Sequence, residues 1–253
     1  MQLATFAAAP EPGDHPLAAG LRQVVIDTDR HAPRSVQVAL GPSEIGEPCA
    51  RKLAYRLMDE TRTNADSDPW AAIIGTAVHA WLADAFEAAN TRLGRIRYLV
   101  ERRVEVRPGL TGSCDLFDAD TMTVIDHKVV GTTKMREYRL QGPPPHYRAQ
   151  AHLYGVGYAN LGLPVREVAL AFYPRGGLLS GLHVWSEPFD PAIAQAALDR
   201  HDQVLALVDT LDVERNPANY RHLPATPSHG CTYCPWFKPG TDTGRGCPGH
   251  LAK

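Results

Sequence analysis

Gly112 to Gly131 reads GSCDLFDADTMTVIDHKVVG. Two short runs, Ser113-Cys114-Asp115-Leu116-Phe117 and Thr123 to Val130, flank the polar segment Asp118-Ala119-Asp120. The second run is rich in β-branched residues and the segment between is turn chemistry, so the spacing predicts a β-hairpin. Side chains alternate along a strand, which places Asp126 and Lys128 on one face and Ile125, His127 and Val129 on the other. Asp115, on the partner strand, is within reach of the first face. Two carboxylates and an ammonium then meet among apolar residues. Buried charges are costly unless they pair or hold a cation, so the hairpin reads as a site.

The rest of the chain supplies a frame. It has 253 residues, 44% of them hydrophobic, enough for a sizeable core. A net charge of −2 and a pI of about 6.6 exclude coating of nucleic acid by bulk charge, but not a local basic groove. No apolar run reaches the ~18 residues of a membrane helix, and the N-terminus lacks the features of a signal peptide. The expectation is a soluble cytoplasmic protein, with no membrane partner.

In chain order, residues 1–13 read as irregular, His15–Arg30 as a helix and Ser35–Leu40 as a short strand. Ser43 reads as an N-cap, followed by a short helix with Cys49 near its start. Pro69 opens the most strongly patterned helix, with Trp70, Ile73, Ile74, Ala77, Val78, Trp81, Leu82, Ala85 and Phe86 in a long apolar stripe ending near Gly94. His79 lies on its flank. Strands are expected at 98–106, 111–117 and 124–130. A basic loop with Lys134, Arg136 and Arg139 leads to the break at Gly142-Pro143-Pro144-Pro145. A helix over His146–Leu161 places Gln150 and Tyr154 on one face. Strands at Val168–Tyr173 and Leu182–Trp185 and a helix from Pro191 to about Glu214 complete the order. The fold class is α/β, a mixed central sheet flanked by helices, in one domain over 1–253. Within it, 1–40 is an N-terminal extension, 69–215 the core, and 43–60 with 217–250 a cysteine-bearing subregion.

Asp115 followed by Asp126-His127-Lys128 resembles the PD-(D/E)XK nuclease signature. GTAVH, containing His79, resembles the helical histidine motif of the RecB-like branch, and Gln150-x-x-x-Tyr154 resembles its QxxxY motif. Cys49 far upstream, with CTYC and Cys247 near the end, resembles the iron–sulfur version of that branch, which includes the AddB nuclease domain and CRISPR-adaptation exonucleases of bacteria and phages. The resemblance runs from about Ser43 to Cys247 and implies a restriction-endonuclease-like core. It also implies roles. Asp115, Asp126 and His79 would hold Mn²⁺ or Mg²⁺, with the backbone carbonyl of His127 as a further ligand, and Asp115, Asp126 and Lys128 would be catalytic. Gln150 and Tyr154 would position DNA, with a phosphate contact from Arg148. The chemistry agrees: phosphodiester hydrolysis needs an activated water and charge neutralisation, which hard cations held by carboxylates supply. Glu101 is a further acidic candidate on the preceding strand.

Cys49, Cys231, Cys234 and Cys247 provide four thiolates, enough for a [4Fe–4S] cluster or for tetrahedral Zn²⁺. The resemblance favours the cluster. Twelve residues separate Cys234 from Cys247, and His229 and His250 stand near enough in sequence to substitute in a zinc site. Either metal would staple the N-terminal helix to the C-terminal tail. Cys114 alternates with Asp115 and is expected to be a small buried apolar residue.

The expected activity is metal-dependent DNA exonuclease, acting on ends and single strands. The alternatives are a structure-specific endonuclease on the same core, a catalytically silent DNA-binding or assembly module, and an iron–sulfur redox protein. Protein partners in recombination, phage replication or CRISPR adaptation fit the resemblance.

Overall fold

The computed structural model describes residues 15, 17–31, 40–64, 68–241 and 243–249. The expected strand over 35–40 lies outside them, apart from Leu40. The described elements are α1 (Leu17–Arg30), α2 (Pro42–Ile45), α3 (Ala50–Leu57), α4 (Trp70–Leu93), β1 (Tyr98–Arg107), β2 (Leu110–Asp118), β3 (Thr123–Val130), α5 (Thr132–Gln141), α6 (Pro145–Asn160), β4 (Glu167–Pro174), β5 (His183–Pro188) and α7 (Pro191–Thr210). Among the described residues, no helix is long and apolar enough to cross a membrane.

The strands form one mixed sheet in the order β1-β2-β3-β4-β5. β1, β2 and β3 form an antiparallel meander; β3 and β4 run parallel, with Asp126 opposite Leu170; β5 closes the sheet antiparallel to β4. The parallel pair requires a crossover, and α5 and α6 supply it. The hairpin turn is clamped from outside by paired charges. Arg97 grips Asp118 at 2.7 and 3.0 Å, and Arg95 grips Asp120 at 2.6 and 2.8 Å. Met122, with φ of 57°, takes the left-handed corner of the turn.

The expected hairpin, the mixed sheet and the order of the main elements are observed, with several corrections. Lys134, Arg136 and Arg139 lie on a helix, α5, and not in a loop. Met135 and Tyr138, three positions apart, bury that helix against the core beneath its exposed cations. Ser43 is inside α2, whose N-cap is Gly41; the Gly41 N–H donates to Glu44 Oε2 at 2.8 Å. α7 ends at Thr210, and β5 extends to Pro188.

The core lies between the sheet and α6. Phe117, Val124, Val168, Leu170 and Phe172 pack on Ala151, Tyr154 and Tyr158. Cys114 is fully buried there against Tyr158, as expected, and burial pushes its thiol pKa up. α4 covers part of the other face with a narrow contact. Only Leu82 and Asn90 are buried in it, and Trp70 and Trp81 are exposed. A second apolar centre joins α3 and α7 to the tail, where Tyr55 stacks on Trp236 with ring centroids 5.3 Å apart. Gly112 is required where α2 crosses β2, because a Cβ there would lie 2.6 Å from Pro42 Cδ.

Candidate active site

The pairing of β2 with β3 runs from Asp118↔Thr123 to Leu116↔Ile125 and then stops, so the strands separate at Asp115 and Asp126. The separation opens a groove of about 870 Å³ whose lining includes His79, Asp115, Asp126, Lys128, Gln150 and Tyr154. The sequence-expected core of the site is thereby brought together from α4, β2, β3 and α6.

Asp126 is almost completely buried. Its Oδ1 accepts from Gln150 Nε2 at 2.6 Å, and Lys128 Nζ lies 2.8 Å from its Oδ2. Lys128 also donates to Gln150 Oε1 at 2.9 Å and sits 4.6 Å above the Tyr147 ring. Gln150 therefore bridges acid and ammonium and sets their separation. Asp115 turns toward α4. Its Oδ2 accepts the His127 N–H at 2.7 Å, and its Oδ1 lies 3.3 Å from His79 Nδ1. The His127 side chain meets this cluster only through the edge of the His79 ring, with centroids 6.1 Å apart. Its ring stacks on Phe86 at 5.6 Å and packs against Tyr173.

The electrostatics follow from burial and proximity. Burial, reinforced by Asp115, pushes Asp126 up to about 6 even though Lys128 opposes it. For Lys128, burial is outweighed by the pull of Asp126, and the ammonium is held above its usual range. In this protein environment the lysine therefore stays charged. His79 is raised by its bond to Asp115; Asp115 is lowered, because His79 and the His127 N–H outweigh its burial. Burial lowers the His127 ring to about 4, so it is neutral at pH 7.

The donor set suits a hard divalent cation. One ligand atom each from His79, Glu101 and Asp115 lie within 4.8 Å of one another. Octahedral ligands at about 2.1 Å from a cation are roughly 3 to 4 Å apart, so this spacing is compatible with one ion. Asp126 Oδ2 is buried and accepts no well-aligned hydrogen bond, its ion pair with Lys128 notwithstanding, which leaves a lone pair for coordination. Glu101 reaches the cluster from β1 through a left-handed φ of 46°, between the Val100↔Leu116 and Arg102↔Cys114 pairs. An alternating pattern cannot foresee such a kink.

Arg148 is not brought to the groove. It makes a bidentate pair with Glu187 of β5 at 2.7 and 2.8 Å and packs over the Trp185 ring. Lys134, Arg136 and Arg139 are likewise absent from the lining. The cations that do line it, besides Lys128, are Arg56, Arg62 and Arg103, which the motifs did not single out.

Cys49 caps α3, while Cys231, Cys234 and Cys247 lie in the tail, and all four line a separate cavity of about 300 Å³. None of the four is in a disulfide. Arg51 Nη1 approaches Cys247 Sγ at 3.7 Å, and the same guanidinium donates to the carbonyls of Arg221 and Leu223. His250 lies outside the described residues.

The groove thus sets acidic donors beside one ammonium at a gap in a mixed sheet, and the class this fold defines is a nuclease. Residues 95–238 match the model of the PD-(D/E)XK nuclease superfamily, and the chain belongs to that superfamily. Similar solved structures include an alkaline exonuclease from Laribacter hongkongensis, 17% identical, covering 72% of this chain and 93% of that one with a TM-score of 0.48. The same enzyme in complex with dAMP is 16% identical, covering 70% and 91% with a TM-score of 0.49. A phage-related exonuclease from Haemophilus somnus 129PT is 14% identical, covering 66% and 82% with a TM-score of 0.44. No curated protein matches the chain.

Proposed function

We propose that this nuclease is a metal-dependent DNA exonuclease whose chemistry runs at Asp115, Asp126, Lys128 and His79. The observation that carries the reading is the buried Asp126–Lys128–Gln150 cluster facing the Asp115–His79 pair across the gap between β2 and β3. Mn²⁺ or Mg²⁺ would be held by His79, Asp115 and Asp126, with Glu101 and the His127 carbonyl as further donors. When bound, such an ion supplies Lewis-acid activation of water and neutralises charge on the phosphate. The imidazole tilts preference toward Mn²⁺.

The protein groups do the rest. Lys128, kept protonated by Asp126, points an ammonium at the scissile phosphate and stabilises its developing charge. Gln150 holds acid and ammonium in register, so neither has to reorganise during the reaction. Tyr154, one turn further along α6, completes the wall against which the strand lies. The chain acts as one nuclease domain, with 43–60 and 217–250 as its cysteine subregion.

In that subregion we assign Cys49, Cys231, Cys234 and Cys247 to a [4Fe–4S] cluster. Three thiolates on one zinc ion would lie about 3.8 Å apart at Zn–S distances of 2.3 Å. Among the described residues no three cysteine sulfurs lie within 4.8 Å of one another. The open arrangement around a cavity favours the larger group, which would staple α3 to the tail.

The test is digestion of end-labelled linear DNA and covalently closed single-stranded circles in Mn²⁺. Loss of the linear DNA with intact circles is expected. Cleavage of the circles would replace the exonuclease reading with an endonuclease one, and no cleavage of either would leave a silent binding module.

A further inference from the structure

The groove has two walls of different origin. One is the β1–β2 surface with Glu101, Arg103, Thr111 and Ser113; the other is the segment Asp59–Arg62 backed by Pro235 and Trp236. Of the arginines on these walls, Arg56 is occupied by Glu44 at 2.9 Å. Arg103 is exposed and donates to the Thr111 hydroxyl at 2.6 Å, so its charge has no acidic partner there. Arg62 is exposed, and its side chain has no ion pair or hydrogen bond among the described residues.

The backbone carrying Arg62 is nevertheless fixed on both sides. The Trp236 indole N–H donates to the Glu60 carbonyl at 2.9 Å. The Thr63 and Asn64 N–H groups donate to the Pro235 carbonyl at 2.9 and 2.7 Å. The Asn64 side chain donates to the Thr232 and Cys234 carbonyls, each at 3.0 Å. A loop with no regular structure is thus sewn to the segment that contains Cys234. Its one cation without a partner borders the groove that holds the acids.

We propose that Glu60–Asn64 is a strand clamp, in which Arg62 binds a backbone phosphate of the substrate while Arg103 binds another from the opposite wall. The proposal rests on the nuclease reading. It adds that the cysteine-bearing segment, through Asn64 and Trp236, builds one side of the DNA path. A guanidinium on a rigid base loses little freedom on binding, and it contributes to affinity without carrying sequence information.

The test is fluorescence anisotropy with a labelled single strand and its duplex, across a salt series, with Ca²⁺ replacing Mn²⁺. Arg62→Ala should weaken binding about tenfold and reduce the slope of log K against log salt by about one. Arg62→Lys should recover most of the affinity. In steady-state digestion the defect should appear in KM more than in kcat. Arg215→Ala, at an exposed position outside the groove, should leave affinity and slope at wild-type values. If the wild type degrades DNA and Arg62→Ala binds with unchanged affinity and slope, the clamp is overturned and the nuclease reading stands. If the wild type neither binds nor degrades DNA, both fall.

Discussion

The acidic site and the cysteine site are held together by different means. Asp115, Asp126 and Lys128 sit on adjacent strands, and Gln150 reaches them from the helix packed on the same sheet. Their separations are set by the β2–β3 register and by the core beneath them. Cys49 and the three tail cysteines come from opposite ends of the chain. The tail cysteines lie in or beside short turns, fastened by the apolar centre around Trp236 and by hydrogen bonds such as Arg51 N–H to Pro224 O and Cys247 N–H to Trp236 O. One site is a product of regular secondary structure. The other is held by an apolar centre and hydrogen bonds between segments far apart in the chain.

This contrast can be broken by experiment. The largest effect expected is on catalysis from Lys128→Gln. Loss of the ammonium should lower kcat by about a thousandfold while leaving intact the visible absorbance that the proposed [4Fe–4S] cluster would give. Cys231→Ser should do the reverse. It should bleach that absorbance and lower the thermal midpoint by about 5 °C or more, as the tail loosens from α3. A bleached protein with an unchanged midpoint would mean that the thiolates staple nothing.

A smaller effect is proton linkage at the acidic site. Asp126 is raised to about 6, chiefly by burial, and His79 is raised by Asp115. A proton held by either group must be displaced by an incoming cation. Mn²⁺ affinity, measured by calorimetry, should therefore rise as pH increases through about 6 and level off once both groups have lost their protons. Affinity independent of pH over that range would separate these residues from the ion.

Legibility in sequence divides along the same line. The hairpin was readable because alternation and turn chemistry are local, and the carboxylate spacing follows from them. The cysteines were readable as a ligand set, but their geometry depends on long-range packing that no period encodes. α5 was hidden because its apolar positions reduce to Met135 and Tyr138 among many charges. The stripe on α4 was legible as a helix but not as a surface; a β-sheet takes only a narrow strip of it, which leaves Trp70 and Trp81 in solvent. Arg148 is a phosphate ligand by type, yet its partner Glu187 lies on β5, far along the chain. Arg62 is invisible for the opposite reason: the residues next to it, Thr63 and Asn64, are held by backbone carbonyls near Cys234.

The most direct measurement is hydrolysis of end-labelled DNA by Asp126→Ala, beside the wild type, at saturating Mn²⁺. The wild type should degrade the DNA and stop on addition of chelator. Asp126→Ala should show no hydrolysis while remaining folded, with a thermal midpoint lowered by the buried Lys128 ammonium left unpaired. Wild-type rates in the Asp126→Ala protein would contradict the central claim that the gap between β2 and β3 is where the phosphodiester is cut.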